Sequence, residues 1–460
     1  MPTLENVLAT IDANQSEAID RLFALLAIPS VSAEPERFPD CARAADWLTR
    51  ELGEIGFEAA RRDTGGRPVV VGTAKAKTRD APSLLFYGHY DVQPADPLAL
   101  WTSPPFEPRL IKGPRGQQIV ARGACDDKGQ LMTFLEACRG FRANGGLPCN
   151  VTVLLEGEEE TGSVSLPAFV VANAKALKAD LALVCDTEMW DAQTPAITTM
   201  LRGLAFEEVT LKAANRDLHS GIYGGAAINP IRVLARILAD LHDANGAVAL
   251  PGFYDGVEEL PAEVAEQWRA LDFDDAKFLG EVGLQVPAGE KGRSTLEMLW
   301  SRPTCDVNGI TGGYQGEGAK TVLPAQASAK VSFRLVAKQN PERVVQSFRA
   351  FVKARLPADV TAEFVSHSAN PAIALSTRGE PVRRAARALE AEWGRPAALI
   401  GSGGSIPVVG LFKRELGMDS LMVGFGLADD AIHAPNEKYE RSSFHRGARS
   451  WARILAALAG

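Results

Sequence analysis

Five groups of residues in this 460-residue chain carry side chains that bind metal ions and move protons: Gly88-His89-Tyr90-Asp91, Asp126-Asp127-Lys128-Gly129, Glu158-Glu159-Glu160, Asp186 and His433. Imidazole and carboxylate together suit a hydrolytic metal site, which also needs an open position for water and a base to take that water's proton. One carboxylate can bridge two ions while a histidine and a further carboxylate complete each. His89 and Asp186 could hold one ion, Glu160 and His433 the other, with Asp126 as the bridge. Ions in such sites lie roughly 3.5–4 Å apart and lower the pKa of a bound water towards ~7. Neighbouring glutamates on an extended backbone point to opposite sides, which predicts separate tasks: Glu160 as ligand, Glu159 facing the water. Asp91, two residues after His89, is spaced either to fix the imidazole tautomer or to cap its own loop.

Taken singly, each group has an ordinary structural explanation: a surface histidine, a solvated acidic loop, a turn before a helix, the end of a strand. What they share is position. Ser83-Leu84-Leu85-Phe86-Tyr87 precedes His89, Val151-Thr152-Val153-Leu154-Leu155 precedes the three glutamates, Leu181-Ala182-Leu183-Val184-Cys185 precedes Asp186, and Leu421-Met422-Val423-Gly424-Phe425 precedes His433. Short continuous apolar runs suit strands buried on both faces. Parallel strands of an open α/β sheet deliver their carboxyl-terminal loops to one rim, so residues far apart in sequence can converge there.

Helices are expected around Ile19, Leu22, Phe23 and Leu26, stopped by Pro29, around Ala44 to Ile55, ended by Gly56, and after Gly129. Strand and helix alternate from about residue 68 to 190, the pattern of an α/β layer with a mostly parallel sheet. From about residue 195 the pattern changes. Phe206 to Leu211 and Val331, Phe333 and Leu335 alternate apolar with polar, as half-buried antiparallel strands do. Amphipathic helices follow Asn229-Pro230 and Pro341, so an inserted α+β domain with an antiparallel sheet is predicted. The expected division is 1–196 and 376–460 for the catalytic domain and 197–375 for the insertion. Residues 253–300, rich in Glu and Asp, give no assignable pattern.

A net charge of −8 without any basic block argues against a nucleic-acid partner. No apolar stretch is long enough for a membrane span, and the first residues carry Glu5 and Asp12 rather than a basic leader, so a cytoplasmic protein is expected. The cysteines at 41, 125, 138, 149, 185 and 305 form no CxxC pair, which fits a reducing compartment. A cysteine hydrolase built on Cys125 lacks a histidine in any partner motif. His242, His367 and His445 fall in no motif and are read as structural or surface residues.

Three runs, Tyr87-Gly88-His89-Tyr90-Asp91-Val92-Gln93-Pro94, Arg122-Gly123-Ala124-Cys125-Asp126-Asp127-Lys128-Gly129-Gln130 and Glu158-Glu159-Glu160-Thr161-Gly162-Ser163, resemble the zinc dipeptidase, carnosinase and aminoacylase family of metallopeptidases. So do Asp217-Leu218-His219-Ser220-Gly221, Lys320-Thr321-Val322-Leu323-Pro324, Phe333-Arg334-Leu335-Val336, Gly403-Gly404-Ser405-Ile406-Pro407 and Ile432-His433-Ala434-Pro435-Asn436-Glu437, in order along the chain. The resemblance implies a zinc-peptidase-like catalytic domain with an inserted lid and dimerisation domain. It implies two divalent ions, zinc with manganese or cobalt as alternatives, held by His89, Asp126, Glu160, Asp186 and His433, and a cis peptide between Asp126 and Asp127. It implies Glu159 as general base and then acid. His219 is implied to stabilise the oxyanion in the partner subunit of a homodimer, and Arg334 to grip a substrate carboxylate. Thr321, Gly404 and Ser405 are implied as further substrate contacts. The activity so implied is hydrolysis of dipeptides or short peptides, with an N-acyl amino acid deacylase or carboxypeptidase as the alternative. A non-catalytic relative would be expected to lack a ligand or the base, and all six are present.

Overall fold

The computed structural model describes residues 3–404 and 406–460; Ser405 lies outside them. The chain forms two compact units, one of Met1–Thr199, Leu375–Ile400 and Pro407–Gly460, the other of Met200–Ala374 and Gly401–Ile406. The short segment Gly401–Ile406 joins the second unit although the chain on both sides of it belongs to the first, a crossing that composition does not signal.

The first unit is organised by four parallel strands lying side by side in the order Asn150–Glu156, Ser83–His89, Leu181–Val184 and Ser420–Met422. Antiparallel strands continue the sheet on either side, Val69–Ala74 and Glu58–Arg62 beyond the first and Ala196–Leu201 beyond the last. The register pairs Phe86 with Val153 on one side and Leu183 on the other, and His89 with Glu156. Because the strands share a direction, the loops after His89, Glu156 and Val184 leave from one edge.

Helix Lys128–Ala143 lies against this sheet almost wholly buried, so its sequence carries apolar residues on more than one face. Phe134 stacks on Phe86 with ring centroids 3.7 Å apart, and Trp451 from helix Arg441–Ala459 meets both rings edge-on at 5.6 and 5.9 Å. This aromatic trio joins the sheet to both helices. Helix Phe38–Ile55 ends where Gly56 turns left-handed at φ 97°, a conformation that costs glycine little. A small antiparallel sheet, Lys438–Glu440 beside Gly116–Val120 beside Arg109–Gly113, ties the chain after His433 to the chain before Asp126.

The second unit is built on an antiparallel sheet ordered Thr304–Gly312, Gln326–Leu335, Gly203–Lys212 and Thr361–Asn370. Its central strands alternate between buried and partly or fully exposed residues, placing Ala205, Val209 and Leu211 beside Val331, Phe333 and Leu335 on the inner face. Helices Pro230–Ala239 and Pro341–Lys353 begin with a capping asparagine followed by proline; Asn229 and Asn340 accept from Ile231 N and Arg343 N. Residues 253–300 contain the short helices Ala262–Ala270, Asp275–Gly280 and Thr295–Trp300, the last opened by a Ser294/Glu297 capping box. Their brevity and scattered apolar residues leave no periodicity to read.

Phe134→Ala removes the centre of the aromatic trio and should cost about 3–5 kcal/mol of unfolding free energy, read from the urea midpoint of the purified protein; a loss below about 1 kcal/mol would show that the trio does not anchor the sheet.

Candidate metal centre and active site

His89 is the last residue of strand Ser83–His89, and its backbone N donates to Asp127 Oδ2 at 3.1 Å. Its ring Nδ1 lies 3.1 Å from the backbone O of Asp91 and 3.5 Å from the Asp91 carboxylate. A proton on Nδ1 satisfies that contact and leaves the Nε2 lone pair available to a cation. The Asp91 carboxylate itself accepts from Glu159 N at 3.2 Å and Glu160 N at 3.1 Å. Both roles open to Asp91 from spacing are therefore present: its carbonyl orients the imidazole, and its carboxylate caps the turn that carries the glutamates.

That turn corrects one step of the sequence reasoning. Glu159–Thr161 is a single 3-10 turn, not extended chain, so the two glutamates diverge because successive residues of such a turn are separated by about a third of a revolution. Glu160 Oε2 accepts from Gln93 Nε2 at 2.8 Å, which orients the carboxylate. Among the described residues no hydrogen bond reaches the Glu159 carboxylate; burial pushes its pKa up and the nearby His89 opposes the rise.

Asp126 occupies the loop between Val120 and helix Lys128–Ala143, and the Asp126-Asp127 peptide is cis. Its Oδ1 lies 3.0 Å from His89 Nε2 and its Oδ2 lies 2.9 Å from His433 Nε2. His89 Nε2 also lies 3.9 Å from Asp186 Oδ2, and His433 Nε2 lies 3.3 Å from Glu160 Oε2. Two sets result, His89 with Asp126 and Asp186, and Asp126 with Glu160 and His433, each with ligand atoms within 4.8 Å of one another. Either set could hold a metal ion, and Asp126 gives one oxygen to each.

The donor atoms fit cations. His89 Nε2 and Glu160 Oε1 are buried without a hydrogen-bond partner, and His89 Nε2, though 3.0 Å from Asp126, is not aligned to donate to it. One such orphan falls in each set. Buried polar atoms are otherwise paired in proteins, so a pair of them aimed at clustered carboxylates fits coordination. Burial alone would raise Asp126, yet the flanking His433 and His89 hold it well below the usual carboxylate range. Hydrogen bonding to Asp126 and Glu160 raises His433 to about 10. Asp186, partly buried beside Asp126 and Asp127, is raised instead, by its desolvation first and by those two charges second.

His433 is placed by a loop rather than a strand. It adopts φ 60°, with Ala431 at 55° and Asn436 at 64°, conformations that residues with a Cβ seldom take without external support. The support is present. Asn436 accepts from Thr102 N at 2.7 Å and donates to Leu100 O at 2.8 Å, while Asp430 accepts from Leu427 N at 2.8 Å and Lys438 Nζ at 2.5 Å. With its side chain 51% exposed against 1% for His89, His433 marks the side from which solvent reaches the ligands.

Glu437 supports the site, and the sequence reasoning left it without a role. Wholly buried, it accepts from Arg122 Nη1 and Gly123 N, both at 2.8 Å, on one oxygen, and from Cys125 N at 2.9 Å and Asp126 N at 3.0 Å on the other. It therefore fixes the Asp126 loop from a position four residues past His433. Lys128, also buried, donates to Leu25 O at 3.2 Å and Ile28 O at 2.6 Å and pins the other side of that loop. Gly129 is required there, since a Cβ would sit 1.9 Å from Ala124 O. Glu437 and Gln93 both lie inside the quoted motifs, so only their partners were out of sight.

The remaining predicted residues belong to the second unit. His219 pairs with Val322 across a two-residue ladder, its Nδ1 accepts from Gly221 N at 3.0 Å, and Ser220 N donates to Thr321 O at 3.0 Å. An imidazole that accepts at Nδ1 carries its proton on Nε2. Arg334 stands on the partly exposed face of strand Gln326–Leu335, opposite Thr304 and Leu204. Gly404 N donates to Ser402 Oγ at 3.2 Å.

A parallel-centred α/β sheet whose loops join two histidine and carboxylate sets through one shared aspartate defines a metal-dependent hydrolase. The chain belongs to peptidase family M20/M25/M40, whose profile matches residues 85–457. It is 30% identical to the Cys-Gly metallodipeptidase DUG1 of Candida albicans over 97% of this chain and 96% of that protein. Among solved structures, an M20 family metallo-carboxypeptidase from Sulfolobus solfataricus superposes with a TM-score of 0.82 at 31% identity, covering 96% of this chain and 99% of that one. Human carnosine dipeptidase 1 does so with a TM-score of 0.78 at 27% identity, covering all of both chains. The protein is thus a metallopeptidase with an M20 fold. No helix among the described residues is long and apolar enough to cross a membrane.

Glu437→Gln replaces an acceptor of four hydrogen bonds by a group that must turn an N–H towards backbone donors. It should weaken divalent-ion binding at least 10-fold, measured as the ions retained per chain after dialysis against graded chelator; wild-type retention would show that Glu437 does not position Asp126.

Proposed function

We propose that this protein hydrolyses the amide bond of dipeptides or short peptides, with His89 and Asp186 on one zinc ion, Glu160 and His433 on the other, and Asp126 bridging. The observation that carries the reading is the division of Asp126: each oxygen faces the imidazole of a different set, at 3.0 and 2.9 Å. Two bound divalent ions supply an acidified water and a polarised carbonyl. Every other step belongs to the chain. Glu159, next to a ligand but without a hydrogen bond to its carboxylate among the described residues, takes the water's proton and returns it to the leaving amine. Asp91 keeps Glu159 and Glu160 in place through their backbone N–H groups, so base and ligand stay in fixed relation.

Substrate recognition is assigned to the second unit, with Arg334 taking a free carboxylate and Thr321, Gly404 and Ser405 as further contacts. His219 is assigned to the oxyanion of a partner subunit's reaction, for which a proton on Nε2 is the required tautomer. A homodimer through this unit is supported by its edge strand Thr304–Gly312, which exposes Val307 and Ile310 beside an unpaired backbone edge. The dipeptide reading draws on the Cys-Gly metallodipeptidase and on carnosine dipeptidase 1; the name of the Sulfolobus relative supports carboxypeptidase action as the second reading. Rates on a dipeptide and on longer peptides with the same C-terminal residue separate the two.

Chelation should abolish dipeptide hydrolysis and added divalent ion restore it. Glu159→Gln should keep both ions by metal analysis and lose roughly 10²- to 10⁴-fold in kcat; normal turnover in that variant would refute the role. Mixing His219→Ala with a subunit inactivated at Asp126 should regain activity that neither has alone, and no recovery in verified mixed dimers would count against shared sites.

A further inference from the structure

The second unit holds a second arginine for which neither sequence motif nor comparison supplies a role. Arg202 immediately precedes strand Gly203–Lys212, and the register that sets Arg334 opposite Leu204 places Arg202 diagonally from Arg334 on the same, partly exposed face. Diagonal neighbours on adjacent strands are within reach of long side chains. Arg202 Nε donates to Gly403 O at 3.3 Å, Nη1 to Met298 O at 3.4 Å, and its backbone N to Ser402 O at 3.3 Å. Its contacts are therefore carbonyls, not acids.

Among the described residues neither Arg202 nor Arg334 has a carboxylate within ion-pair distance, although the other arginines of the unit that are at least partly shielded from solvent do. Arg349 pairs with Glu207 at 2.7 Å, Arg302 with Glu290 at 2.8 Å and Arg293 with Glu259 at 2.6 Å. Burial first, and the like charge of Arg334 second, pull Arg202 down to about 10, with Asp306 opposing at a distance. Asp306 is exposed on the edge strand and accepts from Thr304 Oγ1 at 3.3 Å. Two adjacent guanidiniums without a counter-ion repel each other, and a bound anion relieves that repulsion.

We propose that Arg202 and Arg334 form one subsite for a free carboxylate, with Arg202 adding its charge while holding Ser402 and Gly403 in place. This deepens the assignment of Arg334 in the proposed function and rests on it. The ligand is the C-terminal carboxylate of a short peptide, and the consequence is discrimination against the same peptide blocked as an amide.

The test compares kcat/KM for one dipeptide and its C-terminal amide, with metal content and Tm as controls. Wild type should prefer the acid. Arg334→Gln and Arg202→Gln should each cut the acid-to-amide preference roughly 10- to 100-fold, mostly through KM. Glutamine keeps a donor for Gly403 O, so a residue acting only as a strut would retain the preference. Asp306→Asn, a surface change that removes the opposing charge, should raise the preference several-fold, and it serves where Arg202→Gln does not fold. If Arg334→Gln loses the preference while Arg202→Gln or Asp306→Asn leaves it at the wild-type value, the Arg202 assignment falls and that of Arg334 stands. If wild type does not distinguish acid from amide, or Arg334→Gln keeps the preference, both fall.

Discussion

The structure turns on one carboxylate held between two imidazoles. Asp126 gives one oxygen to His89 and the other to His433, and beside it stand Asp186, Glu160 and Glu159. Four carboxylates gathered this closely repel each other unless positive charge is supplied, and neutral imidazoles supply none. Two divalent cations, held by His89, Asp126 and Asp186 and by Asp126, Glu160 and His433, would supply the positive charge that this cluster calls for. The unusual proton affinities around Asp126 express the same requirement, since they are what a buried acidic cluster shows when only histidines can answer it.

The acidic residues of the site fall into two kinds, distinguished by what their oxygens already hold. Glu437 accepts four hydrogen bonds and has no capacity left; Asp91 takes two backbone N–H groups, and Asp127 takes the N–H of His89. These are supports. The carboxylates of the two metal sets keep capacity free, most plainly Glu160, whose Oε1 is buried and unpaired. A site of this kind needs both, because a ligand oxygen committed to the protein cannot bind an ion, and a ligand loop without commitments cannot hold its shape.

The four buried strands and the convergence of His89, Glu160 and Asp186 were legible because they follow from short apolar runs and the shared direction of parallel strands, whereas the order of the strands in the sheet depends on pairings that no single run records. The alternating strands and proline-capped helices of the second unit were legible for the same local reasons. His433 was legible as a candidate from the apolar run before it, but not its placement: the strand is three residues long, and the loop that aims the ring depends on Asn436 meeting Thr102 and Leu100, contacts more than three hundred residues apart. Glu437 was quoted within a motif but given no role, since its meaning lies in four donors contributed by a distant loop. The 3-10 turn at Glu159 was misread as extended chain because three glutamates carry no periodicity. Residues 253–300 stayed opaque because their helices are too short to repeat a face.

Asp91 links Glu159 to both candidate metal sets. Its carbonyl orients the ring of His89, and its carboxylate holds the N–H groups of both Glu159 and Glu160. Asp91 is therefore in contact with one member of each candidate metal set and with Glu159. The turn that carries the glutamates is closed by Gly162 at φ 88° and Ser163 at φ 53°, which sends the chain away before Thr161 can extend the helix. With about 120° between successive residues of such a turn, one anchored pair of N–H groups suffices to direct neighbouring side chains to different tasks. The relative placement of His89, Glu159 and Glu160 thus rests on Asp91 and one turn.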